Sequence, residues 1–91
     1  MVGTNNESIE NSTTLTIAPN PTKDYIEVIY NSSVNEEITI TIYTLTGSEV
    51  YKTHGESNKS NTINLTRFKS GVYIVNILSG GKAERMKIVK V

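Results

Sequence analysis

Glu37-Ile38-Thr39-Ile40-Thr41-Ile42-Tyr43 decides the fold. Successive side chains of an extended chain point to opposite faces, so Ile38, Ile40 and Ile42 share one face and Thr39, Thr41 and Tyr43 the other. A helix would scatter the same isoleucines around its circumference. Isoleucine and threonine are also stiff at χ1 and suit a pleated, half-buried surface. The stretch is a strand with one covered face.

The same logic carries downstream. Thr44-Leu45-Thr46-Gly47 reads as a turn, with Gly47 free to adopt positive φ. Glu49 to Thr53 returns as a strand, and His54 to Lys59 reads as a loop centred on Gly55. Thr62 to Leu65 is a short strand, and Arg67-Phe68-Lys69-Ser70-Gly71 is a corner at which Gly71 takes positive φ. Val72 to Leu78 is apolar on both faces apart from Asn76, the pattern of a strand covered on both sides or central in its sheet. Ser79-Gly80-Gly81-Lys82 is a tight hairpin turn, and Ala83 to Val91 is the last strand.

Upstream, Asn31 to Glu36 is a loop, and Tyr25 to Tyr30 is a strand with Ile26, Val28 and Tyr30 on one face. Thr14 to Ala18 alternates as well and stops at Pro19-Asn20-Pro21. Two prolines remove two backbone donors and fix two φ angles, so this segment is a stiff corner. The polar turn Thr22-Lys23-Asp24 follows. Residues 1–13 have no apolar period and read as a flexible linker or tail. The expectation is an all-β, immunoglobulin-like β-sandwich of about seven antiparallel strands over residues 14–91.

Ninety-one residues suffice for one domain and one core. Nine basic residues balance nine acidic ones, which argues against a nucleic-acid partner. The locally basic stretch Lys82 to Val91 reads as a solvated strand face. The absence of cysteine excludes disulfide scaffolds, thiolate zinc sites and cysteine nucleophiles. No apolar run approaches the ~20 residues of a helical membrane span. No signal-peptide pattern opens the chain.

The search for catalytic chemistry finds none. His54 is the one histidine, and with Glu56 alone it builds neither a metal site nor a triad. No serine occupies a Gly-x-Ser-x-Gly elbow. The carboxylates of Glu36-Glu37 and of Glu7 and Glu10 read as surface groups, and Gly80-Gly81 lacks the spacing of a phosphate loop. Neither an enzyme site, a cofactor, a metal nor a small-molecule substrate is expected. Asn-x-Ser/Thr sequons at Asn6, Asn11, Asn31, Asn58 and Asn64 follow from the composition. Tyr25, Tyr30, Tyr43, Tyr51 and Tyr73 read as sheet-packing residues with their hydroxyls at the edge, rather than as a sugar platform.

The order of features resembles a known family. Leu15-Thr16-Ile17-Ala18-Pro19-Asn20-Pro21 looks like the opening of the type A C-terminal sorting domain of the Bacteroidetes type IX secretion system. Ile42 to Val50, with its turn Gly47, resembles the family's central hairpin. Phe68-Lys69-Ser70-Gly71-Val72-Tyr73-Ile74-Val75 resembles its Gly-x-Tyr signature, and Met86-Lys87-Ile88-Val89-Lys90-Val91 its Lys-flanked last strand. The resemblance covers Leu15 to Val91. It implies a non-catalytic export label for an N-terminal cargo domain. Type IX shuttle proteins and the outer-membrane translocon would read it after periplasmic transit. A sortase-like cysteine peptidase would then remove it, leaving the cargo at the cell surface or in the medium. Motif and recognition residues are then Pro19, Asn20, Pro21, Gly47, Gly71, Tyr73, Lys87, Ile88, Val89, Lys90 and Val91. Processing is expected in the tail between Thr4 and Thr14. The alternative is a fibronectin-like or carbohydrate-binding accessory module, which should carry an exposed aromatic cluster.

One further expectation concerns the last strand. Its surplus apolar residues Val89 and Val91, with Val72, Ile74 and Leu78, ask for a partner. If the strand lies at a sheet edge, the free backbone groups of Lys87 to Val91 could pair with a receptor strand, while Lys87 and Lys90 keep the edge soluble.

Overall fold

The computed structural model describes residues 13–91, and the linker expected over residues 1–13 lies, except for Thr13, outside them. Seven strands follow one another: β1 (Thr14–Ala18), β2 (Tyr25–Asn31), β3 (Glu37–Thr44), β4 (Glu49–Glu56), β5 (Ser60–Asn64), β6 (Gly71–Ser79) and β7 (Lys82–Lys90). No helix interrupts them. They form a three-stranded sheet ordered β1-β2-β5 and a four-stranded sheet ordered β4-β3-β6-β7, with every strand pair antiparallel. This is the expected all-β, immunoglobulin-like sandwich. Its fourth strand joins the sheet of the third, sixth and seventh rather than that of the first, second and fifth.

The core lies between the two sheets. From the three-stranded sheet it takes Ile17, Ile26, Val28, Tyr30 and Ile63. Ile38, Ile40, Ile42, Val75, Ile77 and Ile88 meet them from the other sheet. The isoleucines of β3 are therefore all inside, as the alternation requires. Strand β6 is central, as its two-faced apolar pattern predicts. Its second face, with Val72 and Ile74 beside Tyr43 and Val89, is half-buried on the outside of the four-stranded sheet, and Leu78 is exposed. The Gly80-Gly81 hairpin has φ of 53° and 87°, the double positive φ of a tight two-residue turn.

Strand β4 corrects the sequence reading. It runs to Glu56, so His54 and Gly55 belong to a strand and not to a loop. Gly55 pairs with Ile38 and is glycine for a different reason than a turn. A Cβ there would stand 2.5 Å from Asn61 Oδ1. Asn61 fills that space and ties the β4–β5 turn together. Its amide donates to the carbonyls of Val28, Glu56 and Lys59, and its oxygen accepts from Glu56 N at 3.1 Å. The turn itself falls at Ser57–Lys59, where Asn58 takes φ 63°. At the other end of β4 the register shifts between Ile42 and Tyr43, leaving Val50 as an extra, bulged residue.

Candidate functional site

The register places the motif residues at one end of the sandwich. Ala18 lies opposite Glu27 and Tyr25 opposite Asn64, which puts the corner after β1, the start of β2 and the end of β5 together. In the other sheet Gly71 pairs with Lys90 and Thr44 with Tyr73, so the Gly47 turn, the start of β6 and the end of β7 share that end. Pro19, Asn20, Pro21, Gly47, Gly71, Tyr73 and the run Lys87 to Val91 thus come to one pole. Thr14 pairs with Asn31 at the opposite pole. The two poles are about 30 Å apart, the span of the nine residues of β6.

Strand β7 is an edge strand, but its outer edge is occupied at this pole. The Asn20 amide donates to Lys87 O at 3.1 Å, and its oxygen accepts from Val89 N at 2.9 Å. Thr22 N donates to Val89 O at 2.8 Å, and Val91 N donates to Thr22 O at 2.9 Å. Thr22 forms in effect a one-residue parallel strand beside Lys90. The Asn20 side chain does the work of one further peptide group. The chemistry follows from the sequence: Pro19 and Pro21 carry no N–H, so the asparagine amide supplies a donor and Thr22 brings the next backbone one. Both X–Pro bonds, Ala18–Pro19 and Asn20–Pro21, are cis.

Two expectations about this strand are corrected here. The outward backbone groups of Val89, with Lys87 O and Val91 N, are not free for a receptor strand, because Asn20 and Thr22 hold them. Lys90 does not solubilise the edge: it shares the inward parity of Met86 and Ile88 and is only 9% exposed. Its ammonium donates to Val91 O at 3.3 Å. Lys87 is exposed, as expected, and Val91 lies just beyond the strand, 55% exposed.

Tyr73 and Gly71 organise the adjoining corner. Tyr73 is buried beside Val75 and Ile77, and its hydroxyl donates to Lys69 O at 2.7 Å. A tyrosine at the start of the sixth strand, bonded to backbone a few residues upstream, is the tyrosine corner of immunoglobulin-like sandwiches. Gly71 has φ 154°, which favours glycine, and Gly47 has φ 97° in the turn closed by Gly47 N donating to Thr44 O. The Phe68 ring stands edge-on to Tyr73, with centroids 5.3 Å apart, and to Tyr51 at 6.3 Å. Tyr51 and Phe68 were not expected to meet. The β4 bulge would have revealed it only if its register were legible in the sequence.

Beside that cluster lies an open groove of about 830 Å³, lined by Val50, Tyr51, Arg67, Phe68, Lys69 and Tyr73 among others. Its rings meet at 66° and 72° and present edges rather than a flat stacking surface. Among the described residues no cluster of three or more histidine, aspartate or glutamate side chains is placed to hold a metal ion.

A family model described as Secretion system C-terminal sorting domain matches residues 16–91. The chain belongs to that family. Curated proteins include no match to it. The sorting domain is of the type IX secretion kind, which implies a Bacteroidetes source. Domains of this family are non-catalytic sorting signals for export to the cell surface or medium, and membership implies interaction with the type IX machinery. The match runs across every element of the sorting domain that contributes to the motif pole.

Proposed function

We propose that the domain is an address label read at its motif pole. On this reading type IX shuttle proteins and the outer-membrane translocon engage it after periplasmic transit, and a sortase-like cysteine peptidase removes it afterwards. Family membership supports the sorting role. The observation that carries the more specific reading is the convergence of Asn20, Gly47, Gly71, Tyr73 and Lys87 to Val91 at one pole, with the chain entering β1 at the other. A cargo domain preceding residue 1 would leave the motif pole facing away from it, free to meet a receptor. The sealed edge makes the pole a rigid surface rather than a strand waiting to be paired. Processing then falls in the tail ahead of the sandwich, between Thr4 and Thr14.

The test fuses the 91-residue chain behind a periplasm-targeted fluorescent reporter in a type IX-competent host. The expected outcome is reporter on the cell surface or in the medium, while the reporter without the domain stays in the periplasm. Periplasmic retention of both would sink the reading. The terminal sequence left on exported material locates the cut; a cut within residues 25–91 would contradict the processing step.

A further inference from the structure

The groove at the motif pole combines three features. Its floor is aromatic, built by Tyr51, Phe68 and Tyr73 in edge-to-face contact. Its wall includes Val50, which the β4 bulge pushes outward to 45% exposure, and Tyr51 remains 37% exposed beside it. Its lining carries two of the chain's nine basic residues, Arg67 and Lys69, and none of its nine carboxylates.

The backbone that carries the lysine and arginine is held at the rim by the fold. Tyr73 donates its hydroxyl to Lys69 O, and Phe68 N donates to Leu65 O, so the backbone from Leu65 to Lys69 is pinned over the ring cluster. Leu65 is fully buried and anchors the other end of the segment. Arg67, Lys69 and Val50 are all exposed. The groove is therefore preorganised, with an apolar floor and a cationic rim, and none of the rim side chains has a salt-bridge partner among the described residues.

We propose that this groove docks an acidic peptide segment of the export machinery, an apolar side chain entering over Val50, Tyr51 and Phe68 and a flanking carboxylate meeting Arg67 and Lys69. Charge decides the class of partner. An aromatic floor alone would admit a sugar or any apolar chain, whereas two cations with no salt-bridge partner among the described residues select an anionic one. Arginine can take a carboxylate through two parallel N–H donors, and a lysine beside it adds a compact charge. The edge-on rings leave a slot for a side chain rather than a flat face for a sugar ring. This inference rests on the sorting reading and names the chemistry of its receptor.

The experiment uses the same reporter fusion of the 91-residue chain. Three variants are compared with the unaltered chain: Arg67→Glu with Lys69→Glu, the charge-conserving Arg67→Lys with Lys69→Arg, and Val50→Ser. All three change exposed side chains, and melting curves of the purified chains verify that folding is retained. Export is expected to fall roughly tenfold on charge reversal, to persist on the charge-conserving exchange, and to fall severalfold with Val50→Ser. If the unaltered fusion is not exported, the sorting reading fails. If it is exported and the folded charge-reversal variant is exported equally well, the groove proposal is overturned while the sorting reading stands. Binding of the purified domain to neutral glycans on an array, undiminished by charge reversal, would also overturn it.

Discussion

Strands β7 and β4 end the four-stranded sheet on its two sides, and the chain finishes those edges in different ways. At the motif pole the β7 edge is closed by distant residues: Asn20 and Thr22 take Lys87 O, Val89 N, Val89 O and Val91 N. Among the described residues the β4 edge has no strand partner, and it is protected locally. It carries Glu49, Lys52 and Glu56, a bulge at Val50, and exposed side chains along most of its length. Charges and bulges are standard defences of an edge against unwanted pairing. The difference separates two ways of satisfying an edge. One leaves polar groups to water and discourages neighbours; the other completes the sheet with a corner nearly seventy residues away in sequence.

The comparison can be broken most severely from inside β7. Ile88 is fully buried between the sheets, so Ile88→Ala is expected to cost about 2–5 kcal/mol by transfer loss and cavity formation. Chemical denaturation measures it. A loss below that range would mean that β7 contributes its edge and little core. The equivalent inward position on β4 tests packing of the opposite kind. Gly55→Ala drives a methyl group against Asn61 and disturbs the amide that serves four backbone groups around the turn. About 1–3 kcal/mol of stability should go with it. An unchanged midpoint would show that the Asn61 side chain gives way without cost.

The seal itself comes next. Asn20→Ala removes two hydrogen bonds from an exposed side chain and should cost about 1–2 kcal/mol in total. Its sharper signature is local. Amide exchange of Val89 should accelerate while that of Val75, in the centre of the sheet, changes only by the global loss. Asn20→Asp keeps an acceptor for Val89 N but loses the donor to Lys87 O, so it should fall between the two. Equal exchange at Val89 in all three proteins would show that the edge is held by Thr22 alone.

Much of this was legible in the sequence, and the boundary has a physical cause. Period-two alternation located the inward residues of β2 and β3, because a covered face announces itself every second residue, and the two-faced apolar run marked β6 as a central strand. The positive φ expected at Gly47 and Gly71 followed from turn and corner chemistry. The errors lie where meaning depends on a distant residue. Gly55 looked like a loop centre, yet its missing side chain makes room for Asn61. Lys90 looked like a solubilising charge, yet parity with Ile88 turns it inward. The Pro19-Asn20-Pro21 segment was readable as a corner, but nothing local says that its asparagine reaches a strand near residue 89. The groove was hidden for the same reason: Tyr51, Phe68 and Tyr73 lie on three separate segments, and the register at a one-residue bulge decides that Tyr51 meets Phe68.

The smallest expected effect belongs to the β4 edge and completes the contrast. Glu56 and Lys59 form a salt bridge of 2.8 Å across the end of that strand, with both side chains well exposed. The lysine, through its hydrogen bond and then its charge, lowers the Glu56 pKa, and the carboxylate raises that of Lys59 in the same order. The signs fix the pH window. The Glu56 contribution is present above its unfolded-state pKa and is lost as pH falls through the lowered folded value. The Lys59 contribution is present below its unfolded-state pKa and is lost as pH rises through the raised folded value. Between those limits both charges are in place, so the pair should not tilt the stability curve near neutral pH. An exposed pair in water is also screened and entropically costly to hold. Lys59→Ala is therefore expected to leave the melting temperature indistinguishable from that of the unaltered domain, at low and at high salt. A salt-dependent loss in that variant would show that the β4 edge, like the β7 edge, is held by specific bonds, and the contrast between the two edges would collapse.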